Sequence, residues 1–159
     1  MTVRAARPGD VDEIHRMVVE LAEYERAGDE VASSPADLSA ALFGEHPAVF
    51  CHVAQGADGL DGFALWYVTY STWTGRHGIW VEDLYVRPEQ RGRGTGRRLL
   101  AALAAECGRR GYRRLEWWVL DWNEPALAFY NSMGATAMSE WTVQRVAGPA
   151  LAALGQEAR

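Results

Sequence analysis

Apolar residues recur along the chain with the two periods that distinguish helices from strands. Ile14, Val18 and Leu21 follow one another at helical spacing, whereas apolar and β-branched runs bounded by glycine, proline and serine are typical of strands. These patterns predict strands at Thr2–Ala6, Ala48–Gln55, Phe63–Ser71, Ile79–Val86, Arg113–Leu120 and from residue 136 to about Arg145. They predict helices at Asp10–Glu25, Pro35–Phe43, Arg97–Arg110 with its flanking residues, and Asn123–Met133, with a short helix or frayed tail at Ala147–Ala158.

The order of these elements indicates the class of fold. Strands and helices are mixed along 159 residues, and neither an internal repeat nor a linker marks a second domain. A chain of this length buries roughly 68–70% of its unfolded surface as one domain. We therefore expect a single α/β or α+β domain over residues 1–159.

The segment Glu82–Gly96, EDLYVRPEQRGRGTG, combines the end of a strand, a glycine-rich turn and the start of a helix. Glycine lets a ligand approach the main chain closely, and the N–H groups at a helix N-terminus attract anions. Arg91, Arg93, Arg97 and Arg98 add four cations within a chain of net charge −5. The pattern predicts an anion site, and phosphate is the anion that suits it best.

Two common phosphate loops do not match this segment. A Walker loop ends in Gly-Lys-Ser/Thr, but Gly96 is followed by Arg97. The dinucleotide fingerprint needs a further glycine at position 97 and follows the first strand of its unit. The pattern that fits is R-x-x-G-x-G, formed by Arg91, Gly94 and Gly96. In this it resembles the coenzyme A pyrophosphate loop of the GNAT superfamily of N-acetyltransferases.

Further motifs narrow the resemblance. They are VLDWNEPALAFYNSMGA at 119–135, YSTWTGR at 70–76, LAEYE at 21–25 and FGEHP at 43–47. In this order they are similar to the diamine (spermidine/spermine) acetyltransferases and their thialysine-preferring relatives, over nearly the whole chain. The resemblance implies one GNAT domain at 1–159, with a central mixed, mostly antiparallel sheet whose middle strands splay apart and which helices flank. It also implies acetyl-CoA as co-substrate and a homodimer.

Composition bears on location and partners. A pI near 5.4 argues against nucleic acid as a partner, and no apolar run approaches the 18 or so residues of a membrane span. Cys51 and Cys107 fit a reducing compartment, and we expect both to be buried and inert. The four histidines lack metal-ligand spacing, so we expect no metal. We predict a soluble, cytoplasmic protein without membrane contact.

Amide formation from acetyl-CoA needs a base for the amine and an acid for the leaving thiolate. Glu82 and Asp83 are adjacent acids in an apolar strand, and regular alternation would point them to opposite faces. A strand-end salt bridge is one interpretation of this pair. The resemblance implies another, in which Glu82 deprotonates the amine and Asp83 assists its recognition.

Tyr130 lies in line with Ala126 and Met133 on its predicted helix, which by itself is the pattern of a core tyrosine. The resemblance instead implies that Tyr130 is the general acid that protonates coenzyme A sulfur. Asn123 is either only a helix N-cap or also a neighbour of the cofactor.

The resemblance also implies two sets of binding residues. The cofactor set is Leu84, Tyr85, Val86, Arg91, Gly92, Arg93, Gly94, Thr95, Gly96, Arg97, Asn123 and Tyr130. The set for the amine substrate is Tyr24, Glu25, Trp73, Glu82 and Asp83. Leu84 and Val86 would act through their backbone, because a splayed strand leaves peptide groups for an amide-bearing ligand.

The expected function is direct acetyl transfer, in a ternary complex, to a small primary amine: a diamine or polyamine, thialysine or a lysine-like amino acid. An antibiotic amine or a peptide N-terminus remains an alternative acceptor, and a non-catalytic acyl-CoA sensor an alternative class. The chain departs from the family pattern at His77 and Gly78, which lengthen the connection before Glu82, and after Ala135. Both departures affect the regions expected to form the acceptor pocket and the dimer contact.

Overall fold

The computed structural model describes residues 1–158, and the chain divides into two compact units, Met1–Trp118 and Val119–Arg159. The elements of the first unit are β1 (Thr2–Ala5), α1 (Val11–Tyr24), α2 (Pro35–Phe43), β2 (Phe50–Gln55), β3 (Leu60–Ser71), β4 (Arg76–Val86), α3 (Thr95–Arg110) and β5 (Leu115–Trp117). The second unit contains α4 (Glu124–Asn131) and α5 (Gly148–Gln156). Within the described residues, no helix has the length and apolarity that crossing a membrane requires.

The five strands form one open sheet in the order β1-β2-β3-β4-β5. The first four are antiparallel neighbours, whereas β5 runs parallel to β4. β5 pairs only with Ile79–Val81, so β4 continues beyond the end of its neighbour. The predicted class, a mixed and mostly antiparallel sheet flanked by helices, is confirmed. The expected splay between its middle strands stays a prediction.

The two faces of the sheet pack against different helices. One face packs against α1 and α2 through a buried cluster that includes Ile14, Met17, Leu42, Val53, Phe63, Leu65 and Tyr85. On the other face Leu99 and Leu103 of α3 are fully buried, and Arg110 at the end of α3 lies 5.7 Å from the ring centre of Trp66. β4 therefore lies between the two helices, α1 and α3, that carry predicted site residues.

Local signals define the helix ends in the first unit. The Ser34 hydroxyl accepts a hydrogen bond from the Asp37 N–H, and the Asp37 carboxylate accepts one from the Ser34 N–H, so the two form a capping box at α2. α3 begins after Gly94 and ends before Gly111, with φ of 80° and 70° at these glycines. Both are left-handed positions that glycine adopts without strain.

Two predicted strands differ from the observed ones. The strand expected at Arg113–Leu120 is restricted to β5, and the one expected from residue 136 to Arg145 is wrong, because residues 136–147 contain no strand. Alternating residues such as Trp141-Thr142-Val143 favour an extended backbone. A strand also needs hydrogen bonds to a neighbouring strand, and those cannot be predicted from local pattern.

Candidate active site

Glu82 and Asp83 lie at a bulge in β4. Val81 is opposite Trp66 of β3, and Asp83 is opposite the adjacent Leu65, so Glu82 is an extra residue without a counterpart. Val81 and Asp83 therefore lie on opposite faces of the sheet, although they are two residues apart. The bulge interrupts the regular alternation between Val81 and Asp83, and the expectation that Glu82 and Asp83 point to opposite faces stays a prediction.

Asp83 is in an environment that disfavours its negative charge. Burial, followed by the nearby carboxylates of Glu82 and Glu25, raises the pKa of Asp83 to about 6. Burial also raises the pKa of Glu25, the residue that follows α1. Three predicted substrate residues are thus close enough to influence one another electrostatically. A cation among them would relieve the repulsion between the carboxylates.

The bulge also decides which peptide groups face the side where β5 ends. The Arg87 N–H donates to the Asp61 carbonyl of β3 at 3.0 Å, and in an antiparallel pair every second residue makes such bonds. Tyr85 therefore directs its peptide groups to β3, and its expected contact with the cofactor stays a prediction. Leu84 and Val86 direct theirs to the opposite side, where β5 no longer runs alongside.

The loop after β4 has the geometry of an anion site. Gly92 and Gly94 have φ of 73° and 80°, and a Cβ at either glycine would meet no atom within 4 Å, so backbone conformation is what requires glycine here. α3 begins directly afterwards at the buried Thr95 and the half-buried Gly96. The first N–H groups of a helix lack intrahelical acceptors. The exposed side chains of Arg93 and Arg97 flank this turn, and together these groups fit a pyrophosphate.

Arg91 connects this loop to α1. Its Nε donates a hydrogen bond to the Val86 carbonyl at 2.9 Å. Its guanidinium carbon lies 4.9 Å from the ring centre of Tyr24 and 5.7 Å from that of Tyr85. Tyr24, predicted to contact the amine, is therefore in contact with the predicted phosphate loop.

A cleft of about 630 Å³ lies between the end of α1 and this loop, and two residues of its lining that the sequence did not predict form polar contacts there. One is Glu20, which accepts a hydrogen bond from the Tyr85 hydroxyl; burial and this bond raise the pKa of Tyr85 to about 12. The other is Arg87, which lies 3.1 Å from a Glu13 oxygen and 3.7 Å from a Glu20 oxygen. The available signal for Glu20 was its position four residues before Tyr24, on the same helix face.

Trp73 lies far from Glu82 and Asp83 in the structure. It lies in the turn between β3 and β4, and its side chain is 88% exposed. Between Arg76, where β4 begins, and Glu82 the strand extends roughly 20 Å. The structure does not bring Trp73 together with Glu82 and Asp83.

The remaining predicted residues, Asn123 and Tyr130, belong to the second unit. Asn123 is the N-cap of α4, and its Oδ1 accepts a hydrogen bond from the Ala126 N–H at 3.3 Å. Tyr130 is in the last turn of α4, half-buried, with its ring centre 5.2 Å from that of Phe129. The capping role of Asn123 follows directly from its sequence position.

The thiols and histidines form no further reactive centre in the part of the chain described. Cys51 and Cys107 are free and buried, and burial raises the pKa of each thiol, which disfavours the reactive thiolate. Among residues 1–158, no three His, Cys, Asp or Glu side chains are grouped so that they could hold a metal ion.

Comparison with known proteins gives matches along most of the chain. The family model described as the Acetyltransferase (GNAT) family matches residues 13–135. A thialysine N-epsilon-acetyltransferase from Sus scrofa is 40% identical over 160 residues, which cover 94% of each chain. An L-ornithine N5-acetyltransferase from Arabidopsis thaliana is 28% identical, over 96% of this chain and 86% of that protein. The solved structure of an integron cassette protein from the mobile metagenome of V. cholerae superposes with a TM-score of 0.80 at 27% identity, covering 98% of this chain and 97% of the other.

Proposed function

The chain belongs to the GNAT acetyltransferase family, and on that basis we propose that it transfers the acetyl group of acetyl-CoA to the side-chain amine of a lysine-like molecule. The predicted resemblance to the thialysine-preferring enzymes and the class of N-acetyltransferase are both confirmed by these matches. We favour thialysine or ornithine-like acceptors over long polyamines, because relatives that match nearly the whole chain carry names of that kind.

The observation that carries this proposal is the acidic group at the β4 bulge. Glu82, Asp83 and Glu25 are neighbouring carboxylates. The raised pKa of Asp83 indicates that its ionised form is unfavourable without a nearby positive charge. A primary ammonium ion supplies that charge. The cationic loop at Arg91–Gly94 follows at the end of the same strand, so one strand carries both a cation-binding and an anion-binding region.

Acetyl-CoA supplies an activated thioester, and the residues present fit its binding. Gly92, Gly94 and the first turn of α3 would hold the pyrophosphate, with the side chains of Arg93 and Arg97 beside it. The peptide groups of Leu84 and the N–H of Val86 would pair with the amides of the pantetheine arm. We further assign Asn123 a role in cofactor binding.

We assign the proton transfers to two residues. Glu82 accepts a proton from the ammonium group, whose ordinary pKa is about 10.4 for a lysine-type amine. Asp83 and Glu25 hold the cation beside it, directly or through water. The neutral amine then attacks the thioester carbonyl in the ternary complex, and Tyr130 donates its hydroxyl proton to the leaving sulfur. Counted from the ammonium ion, two N–H bonds and one C–S bond break, and one C–N bond and one S–H bond form. Glu82 holds the first of the two protons, and the second, lost from the nitrogen as the amide forms, restores the Tyr130 hydroxyl.

We also propose a homodimer. The segment 136–147 carries the exposed apolar side chains Met138, Trp141, Val143 and Val146. Exposed apolar groups of this size are typical of an interface. The segment 136–147 would thus form the contact between the two subunits.

A thiol-release assay tests the proposed reaction. Acetyl-CoA is offered with thialysine, lysine, ornithine, putrescine, spermidine, an aminoglycoside and a short peptide. We expect turnover with a small lysine-like amine and little with the aminoglycoside or peptide. Turnover with only the aminoglycoside or only the peptide would replace the proposed acceptor.

The substitution Tyr130→Phe separates an enzyme from an acyl-CoA sensor. It removes the proton donor while retaining the ring, so we expect kcat to fall by about 10²-fold or more, the usual contribution of a general acid. Coenzyme A affinity, measured by calorimetry, should change less than threefold. Phe129→Leu is a neighbouring control that should retain most of the turnover. Unchanged kcat in Tyr130→Phe would remove Tyr130 from the mechanism.

A further inference from the structure

A second cleft lies at the end of α3 away from the predicted pyrophosphate loop. It has a volume of about 430 Å³ and is formed by the β3–β4 turn and the turn between α3 and β5, and its lining includes Tyr70, Arg76, His77, Arg110, Tyr112 and Arg113. A helix as long as α3 spans about 24 Å. This cleft is therefore separate from the loop at Gly92–Gly94.

The lining of this cleft is cationic and contains no acidic residue. Arg76 and Arg113 form no ion pair with a carboxylate in the described part of the chain. The whole chain has a net charge of −5, so two arginines without ion pairs in the lining of one cleft are not a consequence of its composition. Such a local excess raises the local concentration of anions.

The carboxylates nearest in sequence to Arg110 and Arg113 already form ion pairs. Glu106 holds both Arg109 and Arg110, so a single negative charge is shared between two guanidinium groups. Glu116 pairs with Arg114 at 2.6 Å. The C-terminal end of α3 contributes a partial negative charge of about half a unit, which is smaller than the remaining positive excess.

Aromatic rings form one side of the cleft. The His77 ring lies 5.0 Å from the Tyr70 ring centre and 5.6 Å from that of Tyr112. The His77 Nδ1 is 3.1 Å from the Thr69 carbonyl, which fixes the ring. Tyr70 itself remains 55% exposed, so a planar group has an accessible ring on which to stack.

The backbone holds the two walls of the cleft together. The Arg113 N–H donates to the His77 carbonyl at 2.9 Å, and the Ile79 N–H donates to the Arg114 carbonyl at 3.0 Å. Between them, a Cβ on Gly78 would lie 2.6 Å from Arg114 Cγ, so only glycine permits this approach. At the His77-Gly78 pair the chain departs from the family pattern, and here His77 lines the cleft while Gly78 lets its two walls approach each other.

We propose that this cleft binds a nucleoside polyphosphate, at a site distinct from that of acetyl-CoA. The guanidinium groups of Arg76 and Arg113 pair with phosphate oxygens, for which arginine provides a planar set of donors. The base stacks on the exposed ring of Tyr70, since ring stacking tolerates any base. The cleft volume of about 430 Å³ suits a single nucleotide.

Calorimetric titration with ATP tests this proposal. The full chain is first saturated with coenzyme A, which occupies the loop at Gly92–Gly94. Coenzyme A binding is measured in a separate titration, so that failure of the proposed cofactor site is distinguished from failure of the second site. We expect one ATP site per chain. The double variant Arg76→Ala/Arg113→Ala should weaken ATP binding at least tenfold, whereas Arg16→Ala, an exposed arginine on α1, should leave it within twofold. Equal melting temperatures establish that these variants are folded.

Two further titrations separate the phosphate from the base. Tripolyphosphate should bind more weakly than ATP, and Tyr70→Ala should weaken ATP binding several-fold while leaving tripolyphosphate binding unchanged. Absence of ATP binding, or ATP binding that the double arginine variant does not weaken, would overturn the site. Tripolyphosphate binding as tight as that of ATP would overturn the nucleoside as ligand.

Discussion

At the scale of a single residue, the buried charge of Asp83 lowers the stability of the fold, although we propose that this charge helps to bind the amine. Its folded-state pKa is raised from the ordinary 3.8 to about 6, so the native state holds this proton more tightly than the unfolded state. The free energy of unfolding therefore falls as pH rises between these two values. Above pH 6 the full cost of the buried charge remains until a cation binds.

The substitution Asp83→Asn should remove this cost. We expect the variant to be more stable than the wild type at pH 7.5 by roughly 2–3 kcal/mol, the equivalent of a shift of about two pKa units, and to differ little at pH 4. Its KM for the amine should rise, because one of the charges that attract the ammonium is lost. Urea unfolding at both pH values measures the first effect, and a variant less stable than the wild type at pH 7.5 would contradict the account.

The sequence identified Glu82 and Asp83 as candidate residues but could not predict how they are arranged. An acidic pair in an apolar strand is visible in the sequence, and the family motif assigns it a role. The bulge arises from the register between β4 and β3, which depends on packing between distant residues such as Val81 and Trp66. The contact of Arg91 with Tyr24 likewise joins two segments that no local pattern connects.

At the scale of elements, two glycines at and within α3 should respond in opposite ways to substitution by alanine. Gly94, at φ 80°, precedes the helix, whereas Gly108 lies within it, and at both a Cβ would meet no atom within 4 Å. Gly94→Ala should destabilise the protein by about 1 kcal/mol, because alanine is strained in a left-handed conformation. It should also raise the KM for acetyl-CoA several-fold by displacing the loop.

Gly108→Ala is the matched control. Alanine in a helix interior is favoured over glycine by roughly 0.5–1 kcal/mol, so this variant should melt higher than the wild type and keep its KM. Melting curves and initial rates for both variants provide the measurement. An equal KM for acetyl-CoA in the two variants would show that the loop at Gly94 does not contribute to cofactor binding.

Helices were predicted better than strands for a physical reason. The ends of α2 and α3 are set by residues adjacent in sequence, the Ser34-Pro35 cap and Gly111, so local reasoning found them. β5 and the segment 136–147 depend instead on which strand lies beside them. A pattern of alternating residues predicts an extended backbone but not its partner.

At the scale of the whole molecule, the proposed homodimer gives a prediction about mass. Trp141 and Val143 are 67% and 54% exposed, and a subunit interface would bury them. We expect light scattering after gel filtration to give twice the chain mass of 17.6 kDa, and Val143→Glu to give a single chain mass. Thr142→Glu places the same charge on the neighbouring position and should leave the dimer intact. A monomeric wild type would contradict the proposal.

The central claim, that Glu82 accepts the proton of a small amine during acetyl transfer, is tested most directly by the substitution Glu82→Gln. We expect kcat/KM for the preferred amine to fall by about 10²–10⁴-fold at pH 7.5, the range usual for loss of a general base, while coenzyme A binding is retained. Glu45→Gln, at an exposed position before β2, is the matched control and should leave the rate unchanged. The loss should diminish as the assay pH approaches the pKa of the amine, because less deprotonation is then required. A Glu82→Gln variant within threefold of the wild-type rate at pH 7.5 would show that another group, or water alone, removes the proton.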